Sequence, residues 1–131
     1  MSTVASNGQE RSILIVEDDL DVRDALTQVL EFEGYSVVGA TNGQEAIDHL
    51  RAGNLPSLIL LDLMMPVMDG LQFRAAQMRD PSLADIPVIV ISADGKVDQK
   101  AASLGVAAYM KKPLDVDSLL DLIARFGLPT G

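Results

Sequence analysis

Short, fully apolar runs alternate along the chain with longer stretches in which apolar residues recur every three or four positions. The apolar runs predict buried β-strands, because a parallel strand that is covered on both faces shows no polar alternation. Three of these runs are strong and two are weak: residues 13–16, 58–61 and 88–91, then residues 37–38 and 107–110. The periodic stretches predict amphipathic helices over residues 20–32, 44–51, 71–79, 97–104 and 116–126.

Turn-forming and capping residues agree with this division of the chain. Gly34 follows the first helical stretch, at a position where many helices end in a left-handed glycine. Asn42, Asp69 and Asp115 each precede a helical stretch and are residue types that commonly cap helix N-termini. Five strands, each followed by a helix, predict an α/β fold: a (βα)5, doubly wound, five-stranded parallel sheet with helices on both faces.

The charge of the chain is strongly negative and unevenly distributed. Nineteen Asp and Glu residues oppose ten Lys and Arg residues, which gives a formal net charge of −9. Ten of the acids but only two of the bases lie in residues 1–50. A negative surface repels phosphate backbones, and a chain with two Tyr, three Phe and no Trp has few platforms for base stacking. We therefore expect no direct nucleic-acid binding.

Length and composition predict one domain without a membrane-spanning segment. The apolar share of 48% is sufficient for a hydrophobic core in a chain of 131 residues, and no apolar run reaches the roughly 18 residues of a membrane span. We expect a flexible N-terminal tail over residues 1–11, a domain over residues 12–127 and a C-terminal tail over residues 128–131. The absence of Cys excludes disulfides and thiol chemistry, and it suits the cytoplasmic location that we expect.

The residues that follow the apolar runs have side chains suited to chemistry. Ligands bind at the carboxyl ends of the strands in open parallel sheets. Glu17 and Asp18 follow the first run, Asp62 the third and Ser92 the fourth, and Lys112 lies just beyond the fifth. Three carboxylates in one place need a counter-charge, which a divalent cation and one Lys would supply. Carboxylates of this kind suit Mg²⁺, and an Asp carboxylate can act as a nucleophile towards phosphorus.

Each of these residues has an ordinary structural explanation when it is considered alone. An acidic triplet such as residues 17–19 is typical of a helix N-terminus, and we assign Asp19 mainly to capping. A lone Ser after a strand is usually a turn residue, and Lys-Pro usually lies in a loop. An Asp at the end of a very apolar strand is harder to explain, because its burial is costly without a partner. The coincidence of all four features at one edge of the sheet favours a functional site.

In their order along the chain, these segments resemble the receiver domain of two-component response regulators, the CheY-like superfamily. The resemblance extends over residues 12–126. Residues 13–19 (ILIVEDD) are similar to the family's first strand and acidic pair, and residues 62–70 (DLMMPVMDG) to its phosphoacceptor segment. Residues 90–93 (VISA) resemble its switch-hydroxyl strand end, and residues 109–113 (YMKKP) its aromatic and Lys-Pro segment. The resemblance implies the flavodoxin-like receiver fold with strand order 2-1-3-4-5.

The resemblance also implies a metal site and a phosphoacceptor. Asp62 would accept the phosphoryl group. Asp18, Asp62 and the backbone carbonyl of Met64 would bind Mg²⁺, or Mn²⁺ in its place, and Glu17 would act chiefly through a water molecule.

Further roles follow from the same resemblance for residues at the ends of the fourth and fifth strands. Ser92 would bond a phosphoryl oxygen, and Lys112, rather than Lys111, would pair with the phosphoryl group. Tyr109 would be the aromatic side chain that rotates as Ser92 moves. The Lys112–Pro113 peptide bond would be cis.

The function implied by the resemblance is a phosphorylation-activated signalling switch. A sensor histidine kinase or a phosphotransfer protein would phosphorylate the chain in a Mg²⁺-dependent reaction, and a face around the fourth and fifth strands and helices would change for a downstream protein target. The protein would not be an enzyme, except that it catalyses its own phosphorylation and slow autodephosphorylation. We expect no membrane partner, and either a monomer or a weak dimer through the fourth and fifth helix face.

Other functions remain to be weighed. The chain could be a phosphorylation-independent docking receiver or a phosphorelay intermediate. An Asp-nucleophile phosphatase would need a second acid two residues after Asp62, where Met64 stands, and a flavin carrier would need a phosphate-binding loop where residues 17–19 are acidic. Since only residues 127–131 follow the last helix, we expect a stand-alone receiver or a part of a longer regulator.

Overall fold

The computed structural model describes residues 12–93 and 95–126, apart from the side chain of Val97. The two predicted tails, over residues 1–11 and 128–131, lie outside the described residues, and so does the last residue of the predicted domain, Gly127.

Five β-α units make up the described chain. The strands are β1 (Ser12–Val16), β2 (Ser36–Ala40), β3 (Leu58–Asp62), β4 (Val88–Ser92) and β5 (Ala108–Lys111). The helices are α1 (Leu20–Phe32), α2 (Gly43–Arg51), α3 (Gly70–Arg79), α4 (Val97–Leu104) and α5 (Val116–Arg125). All strand pairs are parallel, and the order β2-β1-β3-β4-β5 confirms the predicted fold class and strand order. Among the described residues, no helix has the length and apolarity that crossing a membrane requires.

The predicted boundaries need small corrections. The fifth strand begins and ends one residue later than predicted, because Ala108 is the first of its residues that pairs with β4 and Lys111 still pairs with Ser92. The last helix ends at Arg125, one residue before the predicted end. The ends of the other strands and helices agree with the predicted ends to within two residues. Apolar runs mark the centre of an element better than its ends, where pairing continues through polar residues.

Side-chain caps set the starts of four helices. Asp19, Asn42 and Asp115 each accept hydrogen bonds from backbone N–H groups in the first turn of the following helix. Asp69 does the same for α3 and forms a reciprocal capping box with Gln72. Because these caps come soon after the strands, the N-termini of the helices surround the carboxyl edge of the sheet.

The sheet separates two hydrophobic cores. Helices α2 and α3 cover one face and α1 and α5 the other, and alternate strand residues point to each side. In β3, for example, Ile59 and Leu61 belong to the first core and Leu58 and Leu60 to the second. Burial on both faces explains why the central strands read as unbroken apolar runs.

Candidate functional site

Three carboxylates converge where β1 and β3 end. Glu17 and Asp18 follow β1, and Asp62 is the last residue of the neighbouring β3. One carboxylate oxygen of each lies within 4.8 Å of the others. Glu17 and Asp62 are buried, with 0% and 3% of their surface exposed, whereas Asp18 is exposed. The structure thus brings together the three acids that the sequence analysis placed at this edge.

Lys112 supplies the positive charge beside these acids. Its Nζ lies 2.6 Å from Oε1 of Glu17 and 3.5 Å from Oδ2 of Asp62. The neighbouring Lys111 is exposed. The peptide bond between Lys112 and Pro113 is cis. Of the two adjacent lysines, Lys112 is therefore the one that enters the site.

The charges of the site are not balanced by protein groups alone. Burial raises the pKa of Glu17 to about 7, although the hydrogen bond from Lys112 acts in the opposite direction. Burial alone would lower the pKa of Lys112, but its hydrogen bond to Glu17 and the charge of Asp62 raise it overall. Three carboxylates facing one ammonium carry a formal excess of two negative charges when all are ionised.

This excess fits a divalent cation. The donors are carboxylate oxygens, which Mg²⁺ prefers, and the exposed Asp18 leaves the site accessible to hydrated ions. Glu17, Asp18 and Asp62 are the residues that could hold the ion.

The other three residues predicted for the site, Ser92, Met64 and Tyr109, differ in their burial. Ser92 is fully buried at the end of β4, and its carbonyl accepts the N–H of Lys112 at 2.9 Å. The N–H of Met64 donates to Oδ1 of Asp62 at 3.2 Å, while the Met64 side chain is exposed. Tyr109 lies in β5 with 46% of its surface exposed. The Met64 amide thus contacts Asp62, and Ser92 lies on the neighbouring strand, whereas nearly half of the Tyr109 surface is exposed.

A cleft of about 490 Å³ adjoins the acids on the side of α3 and α4. It is lined by Asp18, Leu63, Met64, Met65, Pro66, Asp69, Leu71 and Lys100. Of the three acids, Asp18 is the one that lines this cleft, so a molecule in solvent can reach the Asp18 carboxylate from this side.

The sequence analysis missed a tether that holds the end of β1. Nη1 of Arg23 donates to the backbone carbonyl of Glu17 at 2.7 Å. Its side chain crosses Gly39, where an added Cβ would lie 2.8 Å from Arg23 Cδ. The N–H of Glu17 donates to the carbonyl of Ala40, the last residue of the neighbouring β2, at 3.0 Å. The available signal was that α1 contains several acids but a single base, Arg23.

Close backbone contacts fix the segment that follows Asp62. The N–H of Gly70 donates to the Leu63 carbonyl at 3.0 Å, and a Cβ on Gly70 would lie only 2.6 Å from the Asp62 carbonyl oxygen. The N–H of Gly43 donates to the Met68 carbonyl at 2.9 Å, which joins this segment to α2. Asp62 and the segment after it therefore lie on a backbone with little freedom to move.

Solved structures with this fold include several receivers. The signal receiver domain of a signal transduction histidine kinase from Syntrophus aciditrophicus is 32% identical and covers 88% of both chains with a TM-score of 0.80. The response regulator protein TrrA from Thermotoga maritima, solved in complex with Mg(2+)-BeF, is 28% identical with a TM-score of 0.79, and the match covers 88% of this chain and 98% of that one.

Sequence relatives agree with this likeness. The response regulator MprA of Mycobacterium sp. (strain KMS) is 42% identical over 110 residues, which are 82% of this chain. The chain spans about half of that relative, since the match covers 46% of it. The profile of the response regulator receiver domain matches residues 13–124. The chain therefore belongs to the response regulator receiver domain family, the signalling domains of two-component systems.

Proposed function

We propose that the protein is a phosphorylation-activated switch in which Asp62 accepts a phosphoryl group in a Mg²⁺-dependent reaction. The observation that carries this proposal is the buried Asp62 carboxylate, which lies between two further acids and the Lys112 ammonium. Family membership supports it. The donor would be a phosphohistidine on a sensor histidine kinase or on a phosphotransfer protein. We further propose that residues 12–127 form the receiver domain and that it acts in the cytoplasm, the usual location of such domains.

The phosphoryl transfer is a displacement at phosphorus. A carboxylate oxygen of Asp62 forms a bond to phosphorus while the bond from phosphorus to the donor imidazole nitrogen breaks. The imidazole takes the electron pair and leaves as a neutral ring if its other nitrogen carries a proton. Burial keeps bulk water away from the Asp62 carboxylate, and the Lys112 ammonium is close enough to stabilise charge on the transferred group.

The metal would be held by Asp18, Asp62 and the Met64 carbonyl, with Glu17 acting through a water molecule. Mg²⁺, when bound, neutralises the phosphoryl oxygens and the carboxylates together. The structure of the Thermotoga maritima protein in complex with Mg(2+)-BeF supports Mg²⁺ as the ion, and Mn²⁺ would serve in the same role. Glu17 also orients Lys112 through its 2.6 Å contact.

Phosphorylation would then bias the face around β4, α4, β5 and α5 for a downstream protein. Ser92 lies next to the site, so its hydroxyl can turn towards a phosphoryl oxygen. The side chain of Tyr109, which is now exposed, would move into the space vacated on the Ser92 side. Such a modification shifts the balance between two existing states of the domain.

The test is intact-mass measurement after incubation with phosphoramidate and Mg²⁺. We expect a single phosphoryl adduct in the unmodified protein, none in Asp62→Asn and none after chelation of Mg²⁺. Asp69→Asn is the matched control, because Asp69 lines the cleft beside Asp18 and Asn also caps helices. This control should form the adduct. An adduct that persists in Asp62→Asn, or its absence in the unmodified protein, would contradict the proposal and favour a phosphorylation-independent docking role.

A further inference from the structure

A strained turn lies in the segment that follows Asp62. In the part of the chain that the structure describes, Val67 is the one non-glycine residue with a positive φ, at 68°. The N–H of Met68 donates to the Pro66 carbonyl at 2.8 Å, which closes a three-residue γ-turn around Val67. A β-branched residue rarely adopts a left-handed backbone, and γ-turns of this hand are strained. The residues around Val67 must therefore hold the turn.

The side chain of Val67 contributes little to holding its own backbone. Because 79% of the Val67 surface is exposed, packing of this side chain offsets little of the strain. Met65 and Met68, by contrast, are partly buried and pack against the core that lies between the sheet and helices α2 and α3. The left-handed turn is therefore held through the residues on either side of Val67.

Gly43, the first residue of α2, holds the C-terminal side of the turn. Its N–H donates to the Met68 carbonyl at 2.9 Å. A Cβ on Gly43 would lie 2.7 Å from that carbonyl oxygen and from Met68 Cγ, and 3.0 Å from Met68 Sδ. Only glycine fits at this distance without a shift of the Met68 backbone. The start of α2 is itself fixed by the Asn42 cap, so α2 determines where Met68 lies.

The N-terminal side of the turn belongs to the candidate site. The N–H of Met64 donates to Oδ1 of Asp62 at 3.2 Å, so Met64 lies in the short span between the acid and Met68. Pro66 has a fixed φ, and Val67 has little room to relax in the left-handed region. Because the backbone between them is stiff, a displacement of Met68 is passed on to Met64.

We propose that Gly43 is a positioning residue, which imposes the left-handed turn at Val67 and thereby sets the position of Met64 for Mg²⁺. The effect on Mg²⁺ rests on the proposed function, because that function assigns the Met64 carbonyl to the metal. The coupling between Gly43 and Val67 does not depend on it. Helix α2, which contributes no carboxylate to the metal cluster, thus takes part in the metal site through backbone contacts.

Calorimetric titration with Mg²⁺ and urea denaturation without Mg²⁺ test the two parts. In Gly43→Ala the new Cβ displaces the Met68 carbonyl, so the urea midpoint should fall. The Mg²⁺ dissociation constant should rise about tenfold, the lower end of the range for residues that orient a metal ligand. In Val67→Gly the turn is kept without strain, so the midpoint should rise while the dissociation constant stays within about twofold.

The double variant decides whether Gly43 acts through the turn. Glycine in place of Val67 lets the displaced Met68 carbonyl move without moving Met64. Added to Val67→Gly, Gly43→Ala should therefore raise the dissociation constant by less than about threefold and lower the midpoint less than it does alone. Equal effects in both backgrounds would overturn the coupling. Folding of Gly43→Ala only together with Val67→Gly would support it, and failure to fold in both backgrounds would contradict it.

Two controls separate positioning from general stability. Leu50→Val destabilises the same buried helix face about 10 Å from Gly43, and it should leave the Mg²⁺ dissociation constant within about twofold. A rise as large as that of Gly43→Ala would mean that Mg²⁺ affinity follows stability, which would overturn the positioning role. Val67→Ala shortens the same exposed side chain but keeps a left-handed non-glycine residue, so its midpoint should rise less than that of Val67→Gly. Equal rises would show that the turn is not strained.

Failure of the proposed function gives a different result from failure of this inference. If the unmodified protein binds no Mg²⁺, the proposed function fails, but the urea midpoints of the single and double variants still decide whether Gly43 and Val67 are coupled. If the unmodified protein binds Mg²⁺ and Gly43→Ala binds it equally well despite a lowered midpoint, the positioning role is overturned and the proposed function stands.

Discussion

The edge formed by β1 and β3 and the face formed by α4 and β5 are built very differently. Every residue of β3 is buried, and the segment after it is held by close backbone contacts at Gly70. In β5 partly buried and exposed residues alternate. Among the α4 side chains that the structure describes, only Ala101 is buried.

Under the proposed function, this difference would separate chemistry from signalling. Phosphoryl transfer needs groups that are held in place before the reaction, which a doubly buried strand provides. A signalling face must change position at low free-energy cost, which a sparsely packed helix and a half-exposed edge strand allow. We therefore expect equivalent substitutions in the two regions to differ strongly in their effect on the free energy of unfolding.

The largest difference is expected for truncation of apolar side chains in the same core. Leu60 in β3 is fully buried, whereas Met110 in β5 only packs against the edge of that core. Leu60→Ala should lower the free energy of unfolding by about 4 kcal/mol and Met110→Ala by about 1 kcal/mol. Denaturation in urea measures both. Equal losses would show that β5 is packed as firmly as β3 and would remove the contrast between the regions.

Substitution of glycine by alanine gives the next largest difference. A Cβ on Gly70 would lie 2.6 Å from the Asp62 carbonyl oxygen and 2.7 Å from Leu63 Cα, so backbone must move. Gly70→Ala should cost about 2–3 kcal/mol. Gly95→Ala is the control before α4, where the Cβ would meet nothing, and its effect should stay within about 0.5 kcal/mol. Urea denaturation also measures these two variants, and a mild effect of Gly70→Ala would contradict the rigidity of the segment after Asp62.

Most of the fold could be predicted because the central strands are buried on both faces. Their apolar runs are unmistakable, and parallel pairing brings Glu17, Asp18 and Asp62 to one edge. The ends of β5 could not be read as accurately, because a half-exposed edge strand mixes polar and apolar residues. Lys112 was distinguished from Lys111 by the resemblance alone.

The residues that hold the site could not be predicted in the same way. Arg23 and Arg74 act through backbone carbonyls, of Glu17 in one case and of Leu104 and Gly105 in the other. Every residue has a carbonyl, so such partners leave no pattern in the sequence. Only two weak signals were present in the sequence. Arg23 is the single base in the acidic helix α1, and Arg74 is a charged residue in α3, a helix with a buried face.

Lys112 joins the two regions, because it follows β5 and contacts the acids of β1 and β3. Lys112→Met leaves Glu17 and Asp62 without their cation, and we expect the free energy of unfolding to fall by about 2 kcal/mol without Mg²⁺. Added Mg²⁺ should stabilise this variant more than the unmodified protein, because the cation replaces the lost charge.

The exposed neighbour gives the matched control for that substitution. Lys111→Met should change stability by less than about 0.5 kcal/mol and leave the effect of Mg²⁺ unaltered. Thermal or urea denaturation with and without Mg²⁺ separates the two variants. Similar changes in the free energy of unfolding for both variants would mean that the contact of Lys112 with the acids does not stabilise the fold.

The smallest effect concerns the tether at the end of β1. In Gly39→Ala the new Cβ meets only the flexible side chain of Arg23, at 2.8 Å from Cδ, so Arg23 can move aside. We expect a loss of about 1 kcal/mol, the typical value of one hydrogen bond, as Arg23 leaves the Glu17 carbonyl. Arg23→Ala should cost a similar amount, and both should weaken Mg²⁺ binding, measured by calorimetry, because Glu17 is less firmly placed.

A double-mutant cycle decides whether both substitutions act through this one hydrogen bond. Once Arg23 is truncated, Gly39→Ala has nothing left to displace and should cost almost nothing further. Additive losses would mean that Gly39 acts through the strand itself and not through Arg23. Non-additive losses together with weakened Mg²⁺ binding would show that the position of Glu17 depends on the hydrogen bond from Arg23 in α1 as well as on the burial of the strands.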